Sequence, residues 1–101
     1  MIRCEPKKGS DQVKVTFALP EDTVAGRAAV VGDFNDWDPT ATPLRKKGDQ
    51  RVATVTVPAG SRYAFRYVTE DGRWFNDDTA YGYEANGFGG DNAVIDLSAL
   101  G

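Results

Sequence analysis

The stretch Tyr63-Ala64-Phe65-Arg66-Tyr67-Val68-Thr69-Glu70-Asp71-Gly72-Arg73-Trp74-Phe75 decides how the rest of the chain is read. Side chains of an extended strand alternate sides, so Tyr63, Phe65 and Tyr67 share one face and Ala64, Arg66 and Val68 the other. Three aromatics on one side mark it as the core face and turn Arg66 outward. Asp-Gly between apolar runs is the strongest short-range mark of a hairpin, and here it sends Trp74 and Phe75 back along the strand just left. These two are adjacent, so one can be core while the other faces out. Their order leaves both assignments open.

Working outward, residues 52–57 alternate as a strand, and Pro58-Ala59-Gly60 follows as a turn, so residues 52–57 and 63–68 read as a further hairpin. Upstream, Val13, Val15, Phe17 and Leu19 alternate with Lys14 and Thr16 in the period of a half-buried strand, which Pro20 ends. After a turn-like segment, Ala28-Ala29-Val30-Val31 is compatible with a strand covered on both sides or a strand end. It leads into Gly32-Asp33-Phe34-Asn35-Asp36-Trp37-Asp38-Pro39. Asn35, Asp36, Asp38 and Pro39 are turn formers unsuited to a sheet interior. A large aromatic among them is either a core residue or a binding platform, and its polar setting favours the platform. Residues 38–50 are polar, with Leu44 as apolar anchor and Arg45-Lys46-Lys47 as a solvated loop. Residues 77–91 are glycine-rich and aperiodic, as in a binding loop or lid, with simple disorder as the alternative. Ala93, Ile95 and Leu97 then alternate with Asn92, Val94 and Asp96 as a closing strand.

Six or seven short strands without a helical period predict an all-β, antiparallel β-sandwich. Phe17, Val31, Phe34, Phe65, Tyr67, Ile95 and Leu97 are the expected core. A chain of 101 residues is sized for one domain, expected over residues 11–101 behind a flexible tail at 1–10. Lys and Arg number 12 against 15 Asp and Glu, a net charge of −3, so nucleic acid and membrane surfaces are not expected partners. The N-terminus has no apolar leader segment and no run spans a bilayer, which points to the cytoplasm. Cys4 is the single cysteine and there is no histidine, so neither an internal disulfide nor a zinc site is expected. The fragment Asp33-x-Asn35 begins like a calcium loop, but Asp38 and Leu44 stand where that loop needs glycine and glutamate. No metal or cofactor is expected. Paired carboxylates serve glycoside hydrolysis, but Asp33, Asp36, Asp38, Asp71, Asp77 and Asp78 fall in turn sequences where backbone capping accounts for them. A non-catalytic chain is the expectation.

Four segments in order carry a resemblance over residues 12–97: Val31-Gly32-Asp33-Phe34-Asn35-Asp36-Trp37, residues 63–68, Asp71-Gly72-Arg73-Trp74-Phe75-Asn76-Asp77, and Gly89-Gly90-Asp91-Asn92-Ala93-Val94. Together the set resembles the family 48 carbohydrate-binding modules, which include the N-terminal early-set domains of isoamylase and glycogen-branching enzymes. The glycogen-binding domain of the β subunit of AMP-activated protein kinase is another member. The resemblance implies an immunoglobulin-like early-set sandwich that binds α-1,4-linked glucan without cleaving it. It places Trp37 and Trp74 as the indoles that stack on glucose rings and Arg66 as the basic residue reaching sugar hydroxyls. Phe88, Asp91 and Asn92 fall in the loop before the last strand, with Asp91 where the kinase domain has asparagine. The implied partner is an α-glucan polysaccharide or oligosaccharide, with a glucan-metabolising enzyme as a further one. The alternative is a protein–protein interaction module in which the same aromatic surface anchors a partner chain.

Overall fold

The computed structural model describes residues 2–23, 26–77, 82–85 and 90–98. Nine strands follow in chain order: β1 (Ile2–Pro6), β2 (Gln12–Pro20), β3 (Ala28–Gly32), β4 (Arg45–Lys47), β5 (Gln50–Pro58), β6 (Arg62–Thr69), β7 (Trp74–Phe75), β8 (Gly82–Ala85) and β9 (Asp91–Asp96). They form two antiparallel sheets. One has the order β1-β2-β5-β4 and the other β3-β6-β9-β8, with β7 also pairing with β6. The inner faces of the two sheets enclose one core, so the fold is the antiparallel sandwich that the strand pattern anticipates, of the immunoglobulin-like kind that the resemblance implies.

That core is centred on rings. The centroid of Phe17 on β2 lies 5.0 Å from that of Phe65 on β6, and Phe65 meets Tyr67 edge-on at 5.7 Å. Val13, Val15, Val30, Ile95 and Leu97 complete it, with Phe34 packed against its margin. Val31 is also fully buried but belongs elsewhere. It joins Ala29 and Val68 in a smaller apolar cluster on the outer face of the second sheet, beneath Trp37. The run Ala28-Ala29-Val30-Val31 is therefore covered on both sides, which is why it lacks polar alternation.

Four expectations need correction. Residues 1–10 are not a free tail: β1 pairs with β2 from Ile2 opposite Phe17 to Pro6 opposite Val13. Ile2 and Cys4 pack against the core, a two-point apolar pattern too short to outweigh the breakers that follow it. Residues 52–57 and 63–68 are not a hairpin, because β5 and β6 lie in different sheets. The link between them is a crossover, fixed by Ala59 N–H to Asp11 O at 2.7 Å and Gly60 N–H to Leu97 O at 2.9 Å. Both strands present an apolar stripe to the same core from opposite sides, so their patterns match those of hairpin partners. Arg45-Lys46-Lys47 is exposed as expected, but as edge strand β4 rather than a loop, anchored by buried Leu44. A basic edge discourages further strand addition. Finally, residues 77–91 include the edge strand β8, paired with β9.

The Asp-Gly turn behaves as its sequence suggests. Gly72 has φ +85°, a left-handed conformation that glycine adopts freely. Thr69 N–H reaches Arg73 O at 2.9 Å to close the turn between β6 and β7. The register sets Tyr67 opposite Phe75 and Val68 opposite Trp74. Phe75 thus takes the core face, its ring centroid 5.3 Å from that of Tyr67, and Trp74 takes the outer one. Asp77 is not a turn cap: it is buried, and its Oδ2 accepts the Tyr67 hydroxyl at 2.6 Å.

Candidate functional site

The outer face of the second sheet carries Ala29 and Val31 from β3, Ala64, Arg66 and Val68 from β6, Trp74 from β7, Asn92 and Val94 from β9 and Glu84 from β8. Strand register puts them there, with Val68 opposite both Ala29 and Trp74, and Asn92 opposite Glu84. Over this face folds the loop after β3, and its geometry explains the sequence Gly-Asp-Phe-Asn-Asp-Trp. Gly32 N–H donates to Asn35 Oδ1 at 3.0 Å, while Asn35 Nδ2 donates to Val30 O and Thr42 Oγ1, each at 3.0 Å. Trp37 N–H returns to Gly32 O at 3.0 Å. Asp36 and Trp37 have φ +57° and +58°. Two consecutive left-handed non-glycine residues store about 1–3 kcal/mol of strain each, and they persist only where the surroundings over-determine them. Asn35 supplies that determination. Asn35→Ala should therefore destabilise the domain by about 1–3 kcal/mol and blue-shift or red-shift Trp37 emission as the loop relaxes; unfolding curves and fluorescence check both.

Asp33 completes the loop from the other side. Its Oδ2 accepts Ala64 N–H at 2.8 Å and its Oδ1 accepts the Trp37 indole N–H at 3.2 Å, tying the ring to strand β6. Gly32 is required by a close approach: a Cβ there would sit 2.5 Å from the carbonyl oxygen of Ala64 and 2.9 Å from Cβ of Phe65. The backbone cannot yield without moving the sheet, so Gly32→Ala should cost about 1–3 kcal/mol, the range for overpacking, read by denaturant unfolding. Asp38 is a true turn residue. Its carboxylate accepts Thr40 N–H at 2.8 Å and Thr40 Oγ1 at 2.7 Å, and these bonds, the backbone one foremost, hold it below its ordinary pKa.

Between the loop and the β6–β7 turn lies an open cleft of about 670 Å³, lined by Asp33, Trp37, Ala64, Arg66, Trp74, Glu84 and Asn92. Trp74 is 42% exposed, whereas Trp37 is half-buried, its ring seated on Ala29, Val31 and Val68. The Arg66 guanidinium carbon lies 6.0 Å from the Trp74 ring centroid, a cation–π distance that fixes both groups. Among the described residues, Arg66 Nε is buried without a hydrogen-bond partner. Of the six residues singled out in the sequence, Trp37, Trp74, Arg66 and Asn92 come together here. Asp91 does not, since it is on the opposite side of β9 from Asn92, exposed, with its carbonyl accepting Asn76 Nδ2 at 2.8 Å. Phe88 lies outside the described residues. Asp33 and Glu84 line the cleft without having been singled out as ligand contacts. For Asp33 the signal was its place two residues before Asn35 at a strand end; for Glu84 it was only membership of the glycine-rich segment. Among the described residues no cluster of His, Cys, Asp and Glu suits a metal ion, and no helix is long and apolar enough to cross a membrane.

The family described as Carbohydrate-binding module 48 (Isoamylase N-terminal domain) matches residues 11–97. Among curated relatives, the 1,4-alpha-glucan branching enzyme GlgB 2 of Xanthomonas campestris pv. campestris is 43% identical over 51 residues, covering 48% of this chain and 7% of the enzyme. The GlgB branching enzyme of Bacillus caldolyticus is 42% identical over 52 residues, covering 48% and 8%. That of Burkholderia cenocepacia is 42% identical over 71 residues, covering 67% and 10%. The chain thus spans a tenth or less of the length of these relatives. The sandwich, the loop that presents Trp37 and the match across residues 11–97 lead to one statement: this chain belongs to the carbohydrate-binding module 48 family.

Proposed function

We infer that this domain binds α-1,4-linked glucan, as glycogen, starch or maltooligosaccharide, without cleaving it, by stacking glucose rings on Trp37 and Trp74. One observation carries the reading: both indoles border a single open cleft that also holds Arg66 and Asn92. A pyranose presents C–H faces that suit flat aromatic surfaces and hydroxyl edges that need donors and acceptors, and this cleft offers both. The carboxylate bonded to the Trp37 indole is no free acid or base, because each Asp33 oxygen already accepts an N–H. Affinity should be modest. Each aromatic contact contributes on the order of 0.5–1.5 kcal/mol beyond area burial, and ordering a flexible glucan opposes several kcal/mol of the gain. A dissociation constant between about 1 μM and 1 mM follows.

Arg66→Ala should weaken binding by roughly 0.5–1.5 kcal/mol, since it removes hydrogen bonds to neutral hydroxyls that water partly replaces. The uncharged ligand makes the affinity nearly independent of salt. The reading is tested by following both indole N–H resonances as maltoheptaose is added at two salt concentrations. Both should shift along one saturable curve, unchanged by salt; unmoved resonances at millimolar sugar would rule the reading out.

A protein ligand is favoured by one feature, a second groove of about 550 Å³ on the far side of Trp74, lined in part by Ala29, Pro39, Pro43 and Val68. It extends the apolar surface past the indoles, as a partner chain would require. Arg66 and Asn92 in the first cleft weigh toward sugar.

A further inference from the structure

Glu84 is the group in the cleft whose chemistry is unaccounted for. It sits on β8 directly opposite Asn92, on the face shared with Arg66 and Trp74, and it lines the same cavity. It is exposed, and among the described residues its carboxylate has no hydrogen-bond or ion-pair partner. Apart from the Asn92 carboxamide, which offers one acceptor oxygen, the other polar groups of the cleft are committed or of the opposite kind. Each oxygen of Asp33 takes an N–H, the Trp37 indole N–H is spent on Asp33, and Arg66 can only donate. A sugar hydroxyl both donates and accepts. Held by the Arg66 guanidinium and the Asn92 carboxamide alone, a glucose unit would find a single side-chain acceptor oxygen for its several hydroxyl hydrogens. An ionised carboxylate is acceptor-only, with two oxygens able to take two O–H donors, and such charge-assisted bonds are short and strong.

We propose that Glu84 is a specificity-determining contact of this cleft, whose carboxylate accepts hydrogen bonds from a pair of adjacent hydroxyls on a glucose ring stacked at Trp74. The proposal rests on the glucan reading and deepens it by naming what the ligand must carry: free neighbouring hydroxyl hydrogens facing β8. Arg66 and Glu84 then divide the work, one serving hydroxyl oxygens and the other hydroxyl hydrogens.

The test titrates the parent, Glu84→Ala, Glu84→Gln and Trp74→Ala with maltoheptaose, and the parent and Glu84→Ala also with β-cyclodextrin and its 2,3-di-O-methylated form. Glu84→Ala should weaken binding to maltoheptaose and β-cyclodextrin roughly 5- to 20-fold, and Glu84→Gln less, because an amide keeps one acceptor. The melting temperature should stay within about a degree or two of the parent for both, since the side chain is exposed and unpartnered. On the methylated ring, which has lost the donated hydrogens, the parent and Glu84→Ala should differ by less than twofold. The proposal is overturned if Glu84→Ala binds maltoheptaose as the parent does while Trp74→Ala fails to, an outcome that leaves the glucan reading intact. Equal losses on the native and methylated rings would also overturn it, since the residue would then act through shape. If the parent binds neither maltoheptaose nor β-cyclodextrin, both readings fall together.

Discussion

Trp74→Ala should weaken maltoheptaose binding by about 2 kcal/mol or more, at least roughly 30-fold, while the melting temperature moves by no more than a few degrees. The reason is the ring's position. Trp74 is 42% exposed, on the outer side of a two-residue strand, and its strand neighbour Phe75 supplies the core contact in its place. Removing the indole takes away a stacking surface and the partner of the Arg66 guanidinium, but little of the folded interior. Trp37→Ala should behave differently. That ring covers Ala29, Val31 and Val68 and bonds to Asp33, so its loss uncovers apolar surface and should reduce both affinity and stability. A pair of variants that lost binding and stability in equal measure would contradict this division between a free platform and a seated one. Calorimetric melting alongside sugar titration reads it directly.

The largest expected effect on stability belongs to Phe65→Ala. Phe65 is fully buried, at 5.0 Å from Phe17 and 5.7 Å from Tyr67. Truncating a buried phenylalanine costs about 3–5 kcal/mol, a large part of the 5–15 kcal/mol typical of a whole domain. The melting temperature should fall by well over about ten degrees. A variant melting within a few degrees of the parent would show that the inner face of β6 is not the centre of the core.

How far the sequence could be read follows the physics of each signal. The alternation at Tyr63, Phe65 and Tyr67 is a local, period-two pattern, and β6 places those residues inward as it requires. Register resolved what adjacency left open, by setting Phe75 opposite Tyr67 and sending Trp74 outward. Pairing was less legible. The stripes on β5 and β6 face one core from two sheets, and nothing local distinguishes such a crossover from a hairpin. Val31 was read as core because it is apolar, but its cover is Trp37, a residue that meets it only through the folding of the loop between. Trp37 stood out because a large aromatic among turn formers needs a reason, whereas Trp74 and Arg66 were tied to sugar only through the family resemblance. Asp33 and Asn35 resembled ordinary turn residues, and their work in fixing Trp37 is visible only in where their hydrogen bonds go. Asp91 and Asn92 are neighbours in sequence, yet strand alternation gives the cleft only Asn92.

The claim at the centre of this account is that the cleft between Trp37 and Trp74 receives α-1,4-linked glucose units. Isothermal titration with maltoheptaose measures it most directly. The account predicts saturable binding at one site, with a dissociation constant between about 1 μM and 1 mM, weakened at least roughly 30-fold when Trp74 is replaced by alanine. Absence of measurable heat at millimolar maltoheptaose, with tryptophan fluorescence unchanged by glycogen and soluble starch, would contradict it.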